Sequence, residues 1–310
     1  MNNMIVSSAP HVYAKITTQR IMLDVILALI PALAVAIWVF GPRAALVIGV
    51  CVASCVFFEW AFQKIAKRKK TITDLSAVVT GILLAYNLPV CIPVWQAIFG
   101  SLVAIVLVKM IFGGLGKNFA NPAITARIVM FFAFPATMTR WVIPGAVYPD
   151  ALTGPTPLMF MARGEPEALP GIWEMFIGMH GGSLGETSAL ALLLGGLYLL
   201  ARRVITWHTP VAFVGTVFII TALVDAYPVY QVLTGGLLLG AIFMATDYVT
   251  APLTKSGRFI FGVGAALITV VIRLYGGFPE GVSFGILFMN MLVPYINKLT
   301  VKNAFGGVKA

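Results

Sequence analysis

The sequence predicts an all-α polytopic membrane protein of about ten transmembrane helices, built as two inverted five-helix repeats. Three observations carry this. First, the 310 residues are 60% hydrophobic and only 10% charged, against about 25% charged in soluble domains. Second, apolar runs near the length that spans a bilayer, about 20 residues, recur along the whole chain. Third, lysine and arginine alternate between the connecting segments in a way that only an even number of crossings explains.

The candidate spans are 21–41, 44–64, 75–92, 94–112, 122–138, 187–201, 210–225, 231–246, 258–275 and 278–296. Several are short or interrupted by glycine and proline. With an inside N-terminus and ten crossings, sixteen of the 21 lysines and arginines fall on the inside. Only Arg43, Arg140, Arg163 and Arg273 fall outside, and Arg127 lies within a helix. The run Lys67-Arg-Lys-Lys70 anchors this cytoplasmic bias. Removing one helix would reverse every downstream assignment, so both termini are expected inside. The first 20 residues lack the charged, apolar and small-residue order of a secretory leader, and no cleaved signal is expected. The net charge of +10 then reflects cytoplasmic loops rather than nucleic-acid binding. The apolar remainder faces membrane lipid.

The expected organisation has three parts: an N-terminal membrane repeat over 1–138, an outside loop over 139–186, and a C-terminal membrane repeat over 187–310. The loop holds Asp150, Glu165, Glu167, Glu174 and Glu186, five of the eleven acidic residues. Long loops in compact folds are usually functional or disordered. The two halves share short patterns. Thr80-Gly-Ile-Leu-Leu84 resembles Thr234-Gly-Gly-Leu-Leu-Leu239, and Gly113-Gly-Leu115 resembles Gly276-Gly-Phe278. Five is odd, so a second copy must run through the bilayer in the opposite sense.

Such folds break corresponding helices near their sites. Asn87-Leu-Pro89 interrupts the third span, and Met244-Ala-Thr-Asp247 ends the eighth. Freed backbone groups must face protein or a polar cavity. Asn87 and Asp247 are therefore candidates to line an ion or cofactor site; an ordinary helix end or kink explains them equally. Asp24, Glu59, Asp74 and Asp225 are further acids near helices, and intramembrane acids are functional candidates by default.

Other chemistry is thinly represented. Cys51, Cys55 and Cys91 are too few for a thiolate cluster, and His11, His180 and His208 form no motif. Neither a metal site nor catalytic residues are expected. Gly113-Gly-Leu-Gly-Lys-Asn-Phe-Ala-Asn-Pro122 lacks the spacing of a phosphate loop. It reads instead as a glycine-rich link before a helix capped by Asn121, with Pro122 at its first position. The segment Asp150-Ala-Leu-Thr-Gly-Pro-Thr-Pro-Leu158 is an exposed turn with no histidine or lysine to activate a threonine. Its residues alone describe a surface turn, or a hydroxyl acceptor for a modifying enzyme.

Asp150-x-x-Thr153-Gly154-x-Thr156 resembles a motif for covalent FMN attachment to threonine through a phosphoester bond. Pro155 stands where that motif usually has a small residue. Ser8-Ala-Pro-His11, Gly113–Ala123, Gly185-Glu-Thr-Ser-Ala-Leu190 and Met244–Pro252 are similar to the same family. The family is the D-type membrane flavoprotein of the Rnf electron-transport complex, the ion-translocating ferredoxin:NAD oxidoreductase. Its cousin is the B-type component of the sodium-pumping NADH:quinone reductase, which typically carries a longer N-terminal extension.

The resemblance implies a urea-transporter-like fold in a bacterial or archaeal cytoplasmic (inner) membrane. It implies electron transfer through FMN on Thr156, with Asp150, Thr153 and Gly154 completing the attachment motif. The coupled ion is Na⁺ or H⁺. It also implies the other Rnf components as partners and a flavin transferase that matures the loop outside the cytoplasm. Relatives can hold a second, non-covalent flavin such as riboflavin, which no motif here places. The alternatives are a component of the sodium-pumping NADH:quinone reductase and, from a different class, a small-solute channel or transporter on the same fold, without flavin.

Overall fold

The computed structural model describes residues 17–68, 71–144, 153–276 and 280–301. The described residues are mainly helical, with one isolated β-bridge between Val142 and Thr153. Four helices are long and apolar enough to cross a membrane: α1 (Thr18–Phe40), α2 (Pro42–Ile65), α13 (Lys255–Tyr275) and α14 (Val282–Thr300). Five shorter apolar helices accompany them: α3 (Ser76–Tyr86), α4 (Val94–Met110), α5 (Pro122–Ala133), α9 (Ala189–Ala201) and α10 (His208–Leu223). Short helices complete the order: α6 (Pro135–Met138), α7 (Pro157–Arg163), α8 (Ile172–Ile177), α11 (Pro228–Leu233) and α12 (Leu237–Leu239). The chain is a multi-pass, all-α membrane protein.

Three expected spans are broken, each for a local reason. The third ends at Tyr86, because Pro89 and Pro93 cannot donate to a continuing helix. The fifth stops at Ala133. Phe134 precedes Pro135 and takes φ −134°, outside the helical region. The eighth breaks at Thr234–Gly236, where Gly235 and Gly236 both have positive φ. Beyond that break α12 runs into a π-wound turn, Gly240–Met244. Residues Val103–Met110 of α4 are π-wound as well, which rotates the last turn and brings Lys109 inward.

Packing follows small residues. A Cβ on Gly195 of α9 would lie 2.1 Å from the Ala28 carbonyl of α1, and one on Gly81 of α3 would lie 2.7 Å from Val52 Cα of α2. Close backbone approach of this kind is how membrane helices gain contact when lipid removes the hydrophobic drive. Large apolar side chains such as Trp38, Phe57, Leu223, Tyr275 and Leu299 remain on the outer surface, where lipid tails solvate them.

Side-chain ties define two opposite ends of the bundle. At one end Tyr198 and Arg202 of α9 bond Asp24 near the start of α1, at 3.0 and 3.3 Å. Arg68 beyond α2 bonds the Met110 carbonyl closing α4. Asn297 of α14 accepts the Leu253 N–H before α13. At the other end Arg43 of α2 donates to the Ile92 carbonyl, and Thr137 of α6 donates to Gln96 at the start of α4. The Thr156 segment belongs to this second end: Gly154 N–H bonds the Trp141 carbonyl.

Candidate functional site

Thr156 is not the exposed turn residue that the sequence suggests. It is 6% exposed and caps the N-terminus of α7, its Oγ1 accepting the Met159 N–H at 3.3 Å. Pro157 follows at the first helical position, where its missing N–H costs nothing. Thr153 is exposed and Gly154 half-buried; Asp150 lies outside the described residues. Thr153 pairs with Val142, which draws the segment against Trp141 and leaves Thr156 facing inward.

Thr156 opens on a small cavity of about 10 Å³ that it shares with His180, Glu186, Thr234, Gly235 and Glu280. The wall is unusually polar for a chain this apolar. Glu280, just before α14, pairs with Arg127 of α5. The other arm of Arg127 donates to Asn87 Oδ1 at 2.8 Å. Burial pushes the Glu280 carboxyl above the usual carboxylate range, and Arg127 opposes that rise. Arg273, in the last turn of α13, donates to the Gln231 carbonyl at 2.6 Å and the Thr234 carbonyl at 3.0 Å. It thereby holds open the glycine break between α11 and α12. Glu186 is 5% exposed. Its Oε1 accepts the Ser183 N–H at 2.8 Å, while its Oε2 has no hydrogen-bond partner. Arg273 Nε and Ser183 Oγ are buried without partners too. The segment 183–186 is fixed from the side by Leu184 N–H to Leu88 O and Gly185 N–H to Tyr86 O.

The cavity lies below the ~300–1,000 Å³ of ordinary ligand pockets. It has room for about one water molecule, so any group joined to Thr156 would lie outside it. Of the three orphaned atoms, Glu186 Oε2 belongs to a residue of its wall.

A second, larger cleft of about 90 Å³ opens toward the other end. Its walls are mostly apolar, with Ser76, Thr80, Lys109, Asn118, Asn121 and Asp247 among the polar groups. Asp247 is half-buried and accepts from the Thr250 hydroxyl at 3.0 Å. Burial pushes its carboxyl up, against that hydroxyl and the N–H groups of Val249 and Tyr248. Asn87 does not line this cleft. It sits with Arg127 and 3.7 Å from Met244 Sδ, so Asn87 and Asp247 belong to different sites.

Beside this cleft lies a buried ion pair. Lys109 Nζ is 2.7 Å from Glu59 Oε2 and 2.6 Å from Ser76 Oγ. Glu59 Oε1 also accepts from Gln63 at 3.1 Å and Thr71 at 3.0 Å. Ser76 donates onward to Asp74 at 2.5 Å. Of the other sequence candidates, Asp24 is tied to Tyr198 and Arg202. Asp225 is an exposed turn residue with positive φ.

Sequence reasoning missed His180, Glu186, Arg273 and Glu280 as parts of a site. Each is a charged or titratable residue flanking an apolar span, and that was the available signal. Arg127 was visible as a charge inside a helix, without its partner. No group of three or more histidine, cysteine, aspartate or glutamate side chains that could hold a metal ion occurs among the described residues.

Residues 5–306 match the NQR2, RnfD, RnfE family. Among relatives, the D subunit of the Na⁺-translocating ferredoxin:NAD⁺ oxidoreductase complex of Acetobacterium woodii is 46% identical over 310 residues, covering 99% of this chain and 96% of the relative. The D subunit of the proton-translocating ferredoxin:NAD⁺ oxidoreductase complex of Clostridium ljungdahlii is 40% identical over 320 residues, with 98% and 97% covered. The D subunit of the ion-translocating oxidoreductase complex of Stutzerimonas stutzeri is 38% identical over 327 residues, with 94% and 92% covered. A match of this extent, both to the family and to its D-type members, leaves one assignment: the chain belongs to the NQR2, RnfD, RnfE family.

Proposed function

We propose that this chain is the D-type membrane component of an ion-translocating ferredoxin:NAD⁺ oxidoreductase, a redox-driven translocase, and that it carries electrons through FMN esterified to Thr156. The observation that carries the reading is the Asp150-x-x-Thr153-Gly154-x-Thr156 motif, in a chain whose full-length relatives are named as D subunits of such complexes. The place of Thr156 at the N-terminus of α7, its hydroxyl beside a small polar cavity, supports it.

FMN would supply one- and two-electron carriage, and the protein supplies position and electrostatics. The N-cap geometry of Thr156 and the proline on either side fix where the ester starts. Trp141, Ile143 and Leu158 pack the surrounding segment; a Cβ on Gly154 would press on Ile143 at 3.2 Å, and one on Gly235 on Leu158 at 2.2 Å. Because Thr156 is buried, a flavin transferase must reach it while the first turn of α7 is open or before the loop packs.

The architecture we propose is ten crossings in two inverted repeats, 1–138 and 187–310, joined by the 139–186 loop, with a urea-transporter-like plan. Two features support it. The third span of each half, α3 in one and α11–α12 in the other, is broken. Lys109 and Arg273 end the fourth helix of each half, and each bonds the entry to a broken helix, at Ser76 and at Thr234. The lysine and arginine bias supports an inner-membrane orientation with both termini cytoplasmic and Thr156 outside. The cleft lined by Asp247, on the cytoplasmic side in that orientation, is our candidate place for a second, non-covalent flavin such as riboflavin; its lining of apolar side chains with Ser76, Lys109, Asn118 and Asp247 supports this. The coupling ion is left open, since one relative is named for Na⁺ and another for protons.

The test is Thr156→Ala in the assembled complex, co-expressed with the transferase. The band of this protein should lose all flavin fluorescence on a denaturing gel. A band that stays fluorescent sinks the assignment.

A further inference from the structure

The last turns of α2 carry a surface that the Thr156 reading does not use. Phe57, Trp60 and Lys64 are spaced three and four residues apart, so they share one face of the helix. The Phe57 and Trp60 rings lie 6.0 Å apart, and the Lys64 ammonium stands 5.0 Å from the Trp60 ring centroid. All three side chains are exposed. Leu46 and Ala53, also exposed, continue the same face back along the helix. Lys67, exposed as well, continues it forward just past the helix end.

The two lysines are not spent on the protein's own acids. Among the described residues the ion pairs join Lys109 to Glu59, Arg127 to Glu280 and Arg202 to Asp24, and neither Lys64 nor Lys67 belongs to one. Arg68 is committed elsewhere, to the Met110 carbonyl and the Phe62 ring. The sequence extends the cationic run with Lys69 and Lys70. A positive bias in the loops asks only that charge stay on one side of the bilayer. It does not ask that an ammonium stand over an exposed ring at the end of a spanning helix. Over about 10 Å along the axis, from Phe57 to Lys64, the surface passes from apolar ring to interfacial tryptophan to cation. An anionic phospholipid presents the same order from acyl chain to headgroup.

We propose that this face of α2 binds an anionic phospholipid, with the headgroup phosphate at Lys64 and Lys67 and an acyl chain along Ala53 and Phe57. The Trp60 ring lies between the two, at the level where tryptophan concentrates in membrane proteins, and its contact with Lys64 fixes the height of the ammonium. The attraction is charge complementarity added to apolar contact. It uses neither Thr156 nor either cavity, so its failure and the failure of the flavin reading are independent.

The test places the full-length protein in phosphatidylcholine vesicles that contain equal mole fractions of either brominated phosphatidylglycerol or brominated phosphatidylcholine. Bromine quenches tryptophan fluorescence on contact. The difference between wild type and Trp60→Phe isolates Trp60 among the six tryptophans. Trp60 is expected to be quenched more strongly by the phosphatidylglycerol. That preference should fall by about fivefold for each lysine lost in Lys64→Gln and Lys67→Gln, and survive in Lys64→Arg/Lys67→Arg, which keeps both charges. Equal quenching by the two lipids in the wild type overturns the proposal. So does a preference that persists in Lys64→Gln/Lys67→Gln, or one that is lost in the arginine variant too. If the glutamine variant keeps the lipid preference but sheds a subunit from the assembled complex, the surface belongs to a protein partner and the proposal fails.

Discussion

The two buried charged nodes of this protein are built from similar residues and differ in one respect. Around Glu59 and Lys109, each carboxylate oxygen and the ammonium have partners: Gln63, Thr71 and Ser76 complete the set. Around Thr156, Glu186 Oε2, Arg273 Nε and Ser183 Oγ have none. Buried polar groups are nearly always satisfied, and an exception asks for a reason. A closed network rigidifies the fold. The open one includes Glu186, which lines the cavity beside Thr156.

Breaking the closed node should cost most. Lys109→Met leaves Glu59 buried and unpaired, and removal of one partner of such a pair costs about 3–5 kcal/mol. A large fall in the unfolding midpoint in detergent is the expected sign. The double variant Glu59→Gln/Lys109→Met should recover much of the loss, because the uncompensated charge is gone. If the double variant is as unstable as the single one, the node does more than satisfy its own charges.

The open node should respond differently. Glu186→Gln keeps an acceptor for the Ser183 N–H and removes a charge whose second oxygen bonds nothing. The stability change should stay within about 1 kcal/mol, while the midpoint potential of the bound flavin rises, one negative charge having been removed nearby. A collapse in stability with no change in potential would make Glu186 a structural residue and erase the contrast between the nodes.

Smaller still is the effect expected at the large cleft. Asp247→Asn retains an acceptor for the Thr250 hydroxyl, so folding should change by less than about 1 kcal/mol. Loss of a non-covalent flavin from the purified protein, with the covalent one kept, would tie the cleft to a second cofactor. Retention of both flavins would detach Asp247 from cofactor binding.

Much of the fold was legible because bilayer physics writes it into composition and length. Runs over 21–41, 44–64 and 258–275 became α1, α2 and α13 with ends moved by at most three residues. The breaks were less legible. Pro89 announced the end of α3 but not that it would come at Tyr86. Gly235-Gly236 looked like part of a span until the positive φ angles there were seen. Of the proposed site, only Thr156 was legible. Thr156 was visible as a motif residue, yet its burial depends on the Val142–Thr153 pairing, a contact between segments that no local pattern encodes. Glu186, Arg273 and Glu280 come from three parts of the chain. Only the packing of α5, α13 and the 183–186 segment brings them together. Asn87 and Asp247 looked like one site because both stand at helix breaks; Asp247 lines the large cleft, whereas Asn87 is bonded to Arg127 and does not line it.

The most direct test is the intact mass of the peptide that contains both Thr153 and Thr156, from protein made with and without the flavin transferase. The account predicts a gain of one FMN less one water, on Thr156, only when the transferase is present. An unmodified peptide under both conditions, or a flavin located on Thr153, would contradict it.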